Sequence, residues 1–116
     1  MANQITIASV QMYVHQEQKK NLIQIEKHLE HIKNIFPDIS MVVFPELAVH
    51  GVVEDSVKTS VEIPGELTTA FSNLAKDHGL WLIPGSIYER SKNDVFNTTP
   101  IFSPDGEMVG RYRKRY

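Results

Sequence analysis

An amphipathic helix set between two short β-branched runs constrains this chain more than any other feature. Leu22, Ile25, Leu29, Ile32 and Phe36 step by three, four, three and four. That spacing keeps one face of a 3.6-residue helix against a core and predicts a helix over residues 16–36, ended by Pro37-Asp38. Lys27, Glu30 and Lys33 fall on the other side. Before the helix lies Ile5-Thr6-Ile7-Ala8-Ser9-Val10-Gln11-Met12, which reads as a strand buried on both faces. After it, residues 39–44 read as a second strand. Two strands joined by a helix of this length imply a right-handed crossover and parallel pairing.

Residues 46–63 form a polar connector without clear periodicity, and a connector this long is usually functional or poorly ordered. Pro64-Gly65-Glu66 opens a second helix, with Leu67, Phe71, Leu74, Ala75 and His78 on one side. Gly79 stands where a left-handed C-terminal cap belongs. Residues 80–88 read as a third strand, in which Pro84-Gly85 implies a bulge or a close backbone approach. Residues 95–102 and 108–113 read as the fourth and fifth. Between them, Ser103-Pro104-Asp105-Gly106 predicts an antiparallel hairpin, because proline presets φ and glycine accepts a positive φ. The order β-α-β-α-β-β-β is an α/β layer: one mixed sheet with two helices on one face, in a single domain over residues 1–116. Two helices leave the other face of a five-stranded sheet bare. The strands are apolar enough to require cover there, from a second chain or from downstream sequence.

Composition narrows the function classes. A chain of 116 residues buries roughly 65% of the surface its unfolded form exposes, so a core is feasible. A net charge of −2 gives no global attraction to nucleic acid or anionic lipid. The absence of cysteine excludes disulfides and thiolate metal sites within the chain. No apolar run approaches the ~18 residues of a membrane span. Met1-Ala2-Asn3-Gln4 lacks the basic start of a signal peptide, and a cytoplasmic location is the expectation.

Two residues carry the chemistry. Glu46 closes the apolar run Met41-Val42-Val43-Phe44-Pro45-Glu46. It reads either as a solvated loop carboxylate or as a group aimed from the carboxyl end of a strand, where open α/β sheets place ligands. In the second case, partial desolvation is expected to raise its pKa toward the range of a general base. Lys114 lies in Arg111-Tyr112-Arg113-Lys114-Arg115-Tyr116. It reads as part of a solvated basic tail, as a phosphate contact, or as an ammonium over a forming oxyanion. A base and an oxyanion partner require a nucleophile, and the chain has no cysteine to supply one. The histidines (His15, His28, His31, His50, His78) show no metal spacing. His28 and His31 read as solvated, His50 as a surface residue with pocket lining as the alternative, and Trp81 as core.

The motifs taken together resemble the nitrilase superfamily of carbon–nitrogen hydrolases along nearly the whole chain. The matching pieces are Ala8-Ser9-Val10-Gln11-Met12, Val43-Phe44-Pro45-Glu46-Leu47 with Gly51, Gly65 and Phe71 with Leu74-Ala75, and Gly85-Ser86-Ile87-Tyr88-Glu89. Asn97-Thr98, Pro104-Asp105-Gly106 and Gly110-Arg111-Tyr112-Arg113-Lys114 complete the series. The resemblance implies a Glu-Lys-Cys triad, with Glu46 and Lys114 matching the first two and the cysteine falling downstream of Lys114. It implies the amino-terminal portion of an αββα four-layer sandwich that pairs again as a homo-oligomer. It also implies a small-molecule amide or nitrile substrate and no metal or organic cofactor; the charge and hydropathy of the chain add the expectation of no nucleic-acid or membrane partner. Arg115 stands where many relatives place a histidine, which leans toward the amide-cleaving branches.

On this reading the chain is a hydrolase fragment truncated before its nucleophile and inactive alone. A competing reading is a non-catalytic interaction module that self-associates through the bare sheet face. A weaker one is phosphate or nucleic-acid binding through residues 111–115.

Overall fold

The crossover expected between the first two strands is present. The computed structural model describes residues 3–115, so Met1, Ala2 and Tyr116, and the readings that touch them, lie outside the described residues. Strand β1 (Ile7–Ser9) leads into helix α1 (Gln18–Ile35) and strand β2 (Met41–Val43). After a short helix α2 (Ser56–Thr59) come helix α3 (Glu66–His78) and strands β3 (Trp81–Ile83), β4 (Ile87–Ser91), β5 (Asp94–Phe102) and β6 (Met108–Arg113). The six strands form one mixed sheet: β1, β2 and β3 run parallel, β5 lies antiparallel to β3 and β4, and β6 pairs with the far edge of β5.

The expected third strand breaks in two at Pro84-Gly85-Ser86, and both halves run along the same edge of β5. Gly85 explains the break. Its φ is +86°, and a Cβ there would stand 2.0 Å from the Pro45 carbonyl oxygen. Only glycine lets the β3–β4 junction lie against the segment that leads into Glu46.

Strand register sorts the side chains onto two faces. Ala8, Val42, Leu82 and Phe102 form one row across four strands. Val42, Leu82 and Phe102 are buried in a core with Ile25 and Leu29 of α1 and Leu67, Phe71 and Ala75 of α3. The helical spacing read from the sequence therefore serves this face, although Phe36 caps α1 and stays 53% exposed. The opposite face is bare: Ile7, Met41 and Trp81 form one row, with Ile7 52% and Trp81 37% exposed. The strands are thus buried on one side only. Trp81, expected in the core, stands on the open face for the same reason.

The connector after β2 is more ordered than its polarity suggests. Leu47, Ala48, Val49 and His50 are buried, α2 is capped by the Asp55 side chain on the Lys58 amide, and Val61 bridges to Glu89. Asn21, buried on α1, anchors the region. Its side-chain amide donates to the His15 and Val49 carbonyls and accepts from the His15 amide, each at 2.7 Å. A fully paired buried amide of this kind fixes three segments at once. Among the described residues no helix is long and apolar enough to cross a membrane.

Candidate active site

Glu46 follows β2 by three residues, and the backbone turns sharply after it. Leu47 holds a left-handed φ of +53°, a conformation costing a branched residue roughly 1–2 kcal/mol. It is retained by two hydrogen bonds. The Leu47 amide donates to Ser86 Oγ at 3.0 Å, and its carbonyl accepts from the Gly51 amide at 2.7 Å. The strained turn aims the Glu46 carboxylate over the open face of the sheet.

Lys114 arrives from the other side. Thr98 pairs with Arg113 and Thr99 with Tyr112, so Lys114 is the next residue beyond β6 and faces the open side. Its amide donates to the Asn97 carbonyl at 2.8 Å. Its Nζ lies 2.9 Å from Glu46 Oε1, and Asn97 Nδ2 donates to the same oxygen at 2.8 Å. Asn97 therefore binds the carboxylate through its side chain and the Lys114 backbone through its carbonyl. The structure brings Glu46 and Lys114 together across 68 positions of sequence. They border an open depression of about 290 Å³ lined by Val43, Phe44, Ile83, Ser86, Asn97, Thr99 and Tyr112.

The electrostatics differ from the sequence expectation. The Lys114 ammonium, chiefly through its hydrogen bond, holds the Glu46 carboxyl below the usual carboxylate range. Desolvation opposes this, and the charge of Lys114 and the Asn97 amide reinforce it. Burial was expected to win and raise the pKa. It loses because both side chains remain about half exposed, 54% for Glu46 and 52% for Lys114.

Two features outside the depression were missed in the sequence, the burial of histidines and the role of Glu89. His50, read as a surface residue, is only 3% exposed, and its Nε2 has no hydrogen-bond partner among the described residues. Its ring lies 5.7 Å from that of Tyr88, and burial pushes its pKa down. His28, also read as solvated, is half-buried with its ring 6.5 Å from Phe44. The second feature is Glu89, whose side chain is 2% exposed. It accepts from Thr98 Oγ1 at 2.7 Å, Arg111 at 2.7 Å, and Arg113 Nε and Nη2 at 2.9 and 3.0 Å. The hydrogen bonds from Arg113, ahead of those from Thr98 and the guanidinium charges, hold its carboxyl below the usual range against desolvation. The alternation of Ile87-Tyr88-Glu89 could have shown this, since it puts Glu89 on the same face as buried Ile87. Three of the four cations between residues 111 and 115 are thus engaged by carboxylates.

A profile of the carbon–nitrogen hydrolase family matches residues 6–116. The chain belongs to the carbon–nitrogen hydrolase family. Within that family it is similar to human omega-amidase NIT2, with 43% identity over 53 residues, which are 46% of this chain and 19% of that protein. Its fold is that of Nit3 from Saccharomyces cerevisiae, a member of branch 10 of the nitrilase superfamily. The TM-score is 0.86 and the identity 26%, over 97% of this chain and 44% of Nit3. A carbon–nitrogen hydrolase from Helicobacter pylori G27 superposes with a TM-score of 0.80 and 26% identity, over 97% of this chain and 40% of that one. The resemblance read from the motifs, amidase-like and of nitrilase fold, therefore holds. The chain spans less than half the length of these relatives.

Proposed function

We propose that the complete protein hydrolyses the carbon–nitrogen bond of a small amide, with Glu46 as general base and Lys114 as oxyanion partner. The nucleophile is a cysteine thiol outside this chain. The observation that supports the reading is the 2.9 Å contact between Lys114 Nζ and Glu46 Oε1 at the rim of one depression. The omega-amidase name of the similar relatives favours an amide over a nitrile.

Glu46 accepts the thiol proton while sulfur attacks the carbonyl carbon, and Lys114 stabilises the oxyanion that forms. Collapse of the tetrahedral adduct breaks the carbon–nitrogen bond, and the proton held by Glu46 goes to the leaving amine. Water, deprotonated by the same carboxylate, then cleaves the thioester to the acid and free thiol. Removing one preorganised oxyanion donor typically costs ~10²–10³ in kcat. The strained turn at Leu47 and the grip of Asn97 support preorganisation of this kind.

The test is ammonia release from short amides and nitriles by the product of the complete reading frame, beside the same protein carrying Glu46→Gln or Lys114→Ala. Turnover is expected from the first and a loss of at least ~10²-fold from each variant. The 116-residue chain alone is expected to be inert; clear turnover by it would remove the need for a thiol.

A second reading is favoured by the bare face, where Ile7, Trp81 and, at 57%, Tyr112 stand exposed on different strands: the chain self-associates there. Sedimentation at micromolar concentration distinguishes it, since a well-behaved monomer contradicts pairing.

A further inference from the structure

We propose that Glu89 is the positioning residue for Lys114, acting through Arg113 and from the opposite face of the sheet. This rests on the reading that Glu46 and Lys114 work as a pair.

Lys114 is the first residue beyond β6, and among the described residues its backbone has one cross-strand hydrogen bond, to the Asn97 carbonyl. Its side chain has four rotatable bonds and stays half exposed, so an ammonium on such a stem is held in place only if its Cα is held. The residue before it supplies that hold. Arg113 forms a two-point contact with Glu89, through Nε at 2.9 Å and Nη2 at 3.0 Å. A guanidinium gripped at two points by a carboxylate is fixed in orientation as well as distance.

Glu89 is itself rigid. It is fully buried on β4, accepts from Thr98 on β5, and takes a further bond from Arg111 on β6. One carboxylate thus ties three neighbouring strands at the end of the hairpin where the candidate site sits. The Arg111 contact, two residues back on the same face, stops β6 from rolling about the Arg113 grip. Because successive strand residues face opposite ways, holding Arg113 on the helix face directs Lys114 to the open face, toward Glu46. Phe96 completes the seat, its ring centroid 4.1 Å from the Arg113 guanidinium carbon.

Electrostatics alone and positioning predict opposite outcomes, which makes the idea testable. Neutralising Glu89 removes a negative charge from the neighbourhood. By Coulomb's law alone this leaves the Glu46 pKa unchanged or lowers it. If Glu89 positions Lys114, the same change frees the ammonium and the Glu46 pKa rises.

The experiment is a carboxylate-detected NMR titration of Glu46 in the wild-type chain, Glu89→Gln, Arg113→Lys and Lys114→Ala. Lys114→Ala should raise the Glu46 pKa, and Glu89→Gln should carry it most of the way to the same value. Arg113→Lys keeps the charge and loses the two-point grip. It should also raise the Glu46 pKa, and it serves as the test if Glu89→Gln does not fold. A Glu46 pKa at or below the wild-type value in Glu89→Gln, or in Arg113→Lys if only that variant folds, overturns the proposal while the Lys114→Ala shift persists. If Lys114→Ala itself leaves Glu46 unmoved, the pairing of Glu46 with Lys114 fails first, and this inference falls with it.

Discussion

Glu46 and Glu89 each meet cations from the end of the same strand, yet on opposite faces of the sheet and with opposite consequences. Glu89 lies under the helices, 2% exposed, and is saturated by one hydroxyl and two guanidiniums. Glu46 lies on the bare face, half exposed, with one ammonium and one amide on a single oxygen. A carboxylate with every lone pair occupied has no capacity left for a reacting proton. One whose second oxygen meets no donor among the described residues has. The first arrangement holds strands together; the second is the one that the proposed base at Glu46 requires.

The sharpest way to break this contrast is to truncate neighbours that face opposite ways. Leu82→Ala empties a fully buried site and should cost about 3–4 kcal/mol. Trp81→Ala, one residue earlier on the bare face, should cost less than half of that despite the larger side chain. Urea unfolding monitored by far-UV circular dichroism measures both. Equal costs would mean that the open face is covered in solution.

The next effect compares the carboxylates themselves. Glu89→Gln removes the buried charge that two guanidiniums share and should cost about 3 kcal/mol, the lower end for breaking a buried pair because both arginines keep water contact. Glu46→Gln breaks a half-exposed pair and should cost less than ~1 kcal/mol. A Glu46 variant as unstable as the Glu89 variant would make the candidate site a structural brace.

The smallest effect is in pH. The folded-state pKa of Glu89 is lowered, so its stabilisation is complete above the ordinary value of 4.5 and is lost as pH falls through the folded value. His50 also titrates below its ordinary 6.5, so on acidification the unfolded chain takes up a proton that the buried ring refuses. Stability should therefore decline from about pH 7 toward about pH 5, before the carboxylates contribute. His50→Phe should flatten that upper part of the profile and leave the lower part intact. An unchanged slope would show that His50 is not the group responsible.

The contrast also separates what could be read in the sequence from what could not. Glu46 was legible because Pro45 ends an apolar run and leaves the next side chain at a strand mouth. Lys114 was legible only together with the surrounding motifs, since four cations among the last six residues look alike one at a time. Their assignment to two faces depends on strand parity, and parity depends on pairing partners far away in sequence. Asn97 could be quoted as a motif residue, but its double role requires the β4–β5–β6 register. His50 and the segment around it looked like an exposed connector because the burial there comes from contacts such as Asn21 to Val49, 28 positions apart. Trp81 was placed in the core by residue type, and the bare face overrides that.

Along β5 and β6 the register shifts once: Phe102 opposes Met108, whereas Ile101 opposes Gly110, so Val109 is a supernumerary residue absorbed near the turn. Everything beyond it inherits that offset. Had the ladder zipped up without the extra residue, the two sets of cations would trade sides. A flat guanidinium from Arg113 would then confront Glu46, and the flexible amine of Lys114 would be driven beneath the helices. Which cation looks into the depression is decided by a single surplus amino acid on the approach.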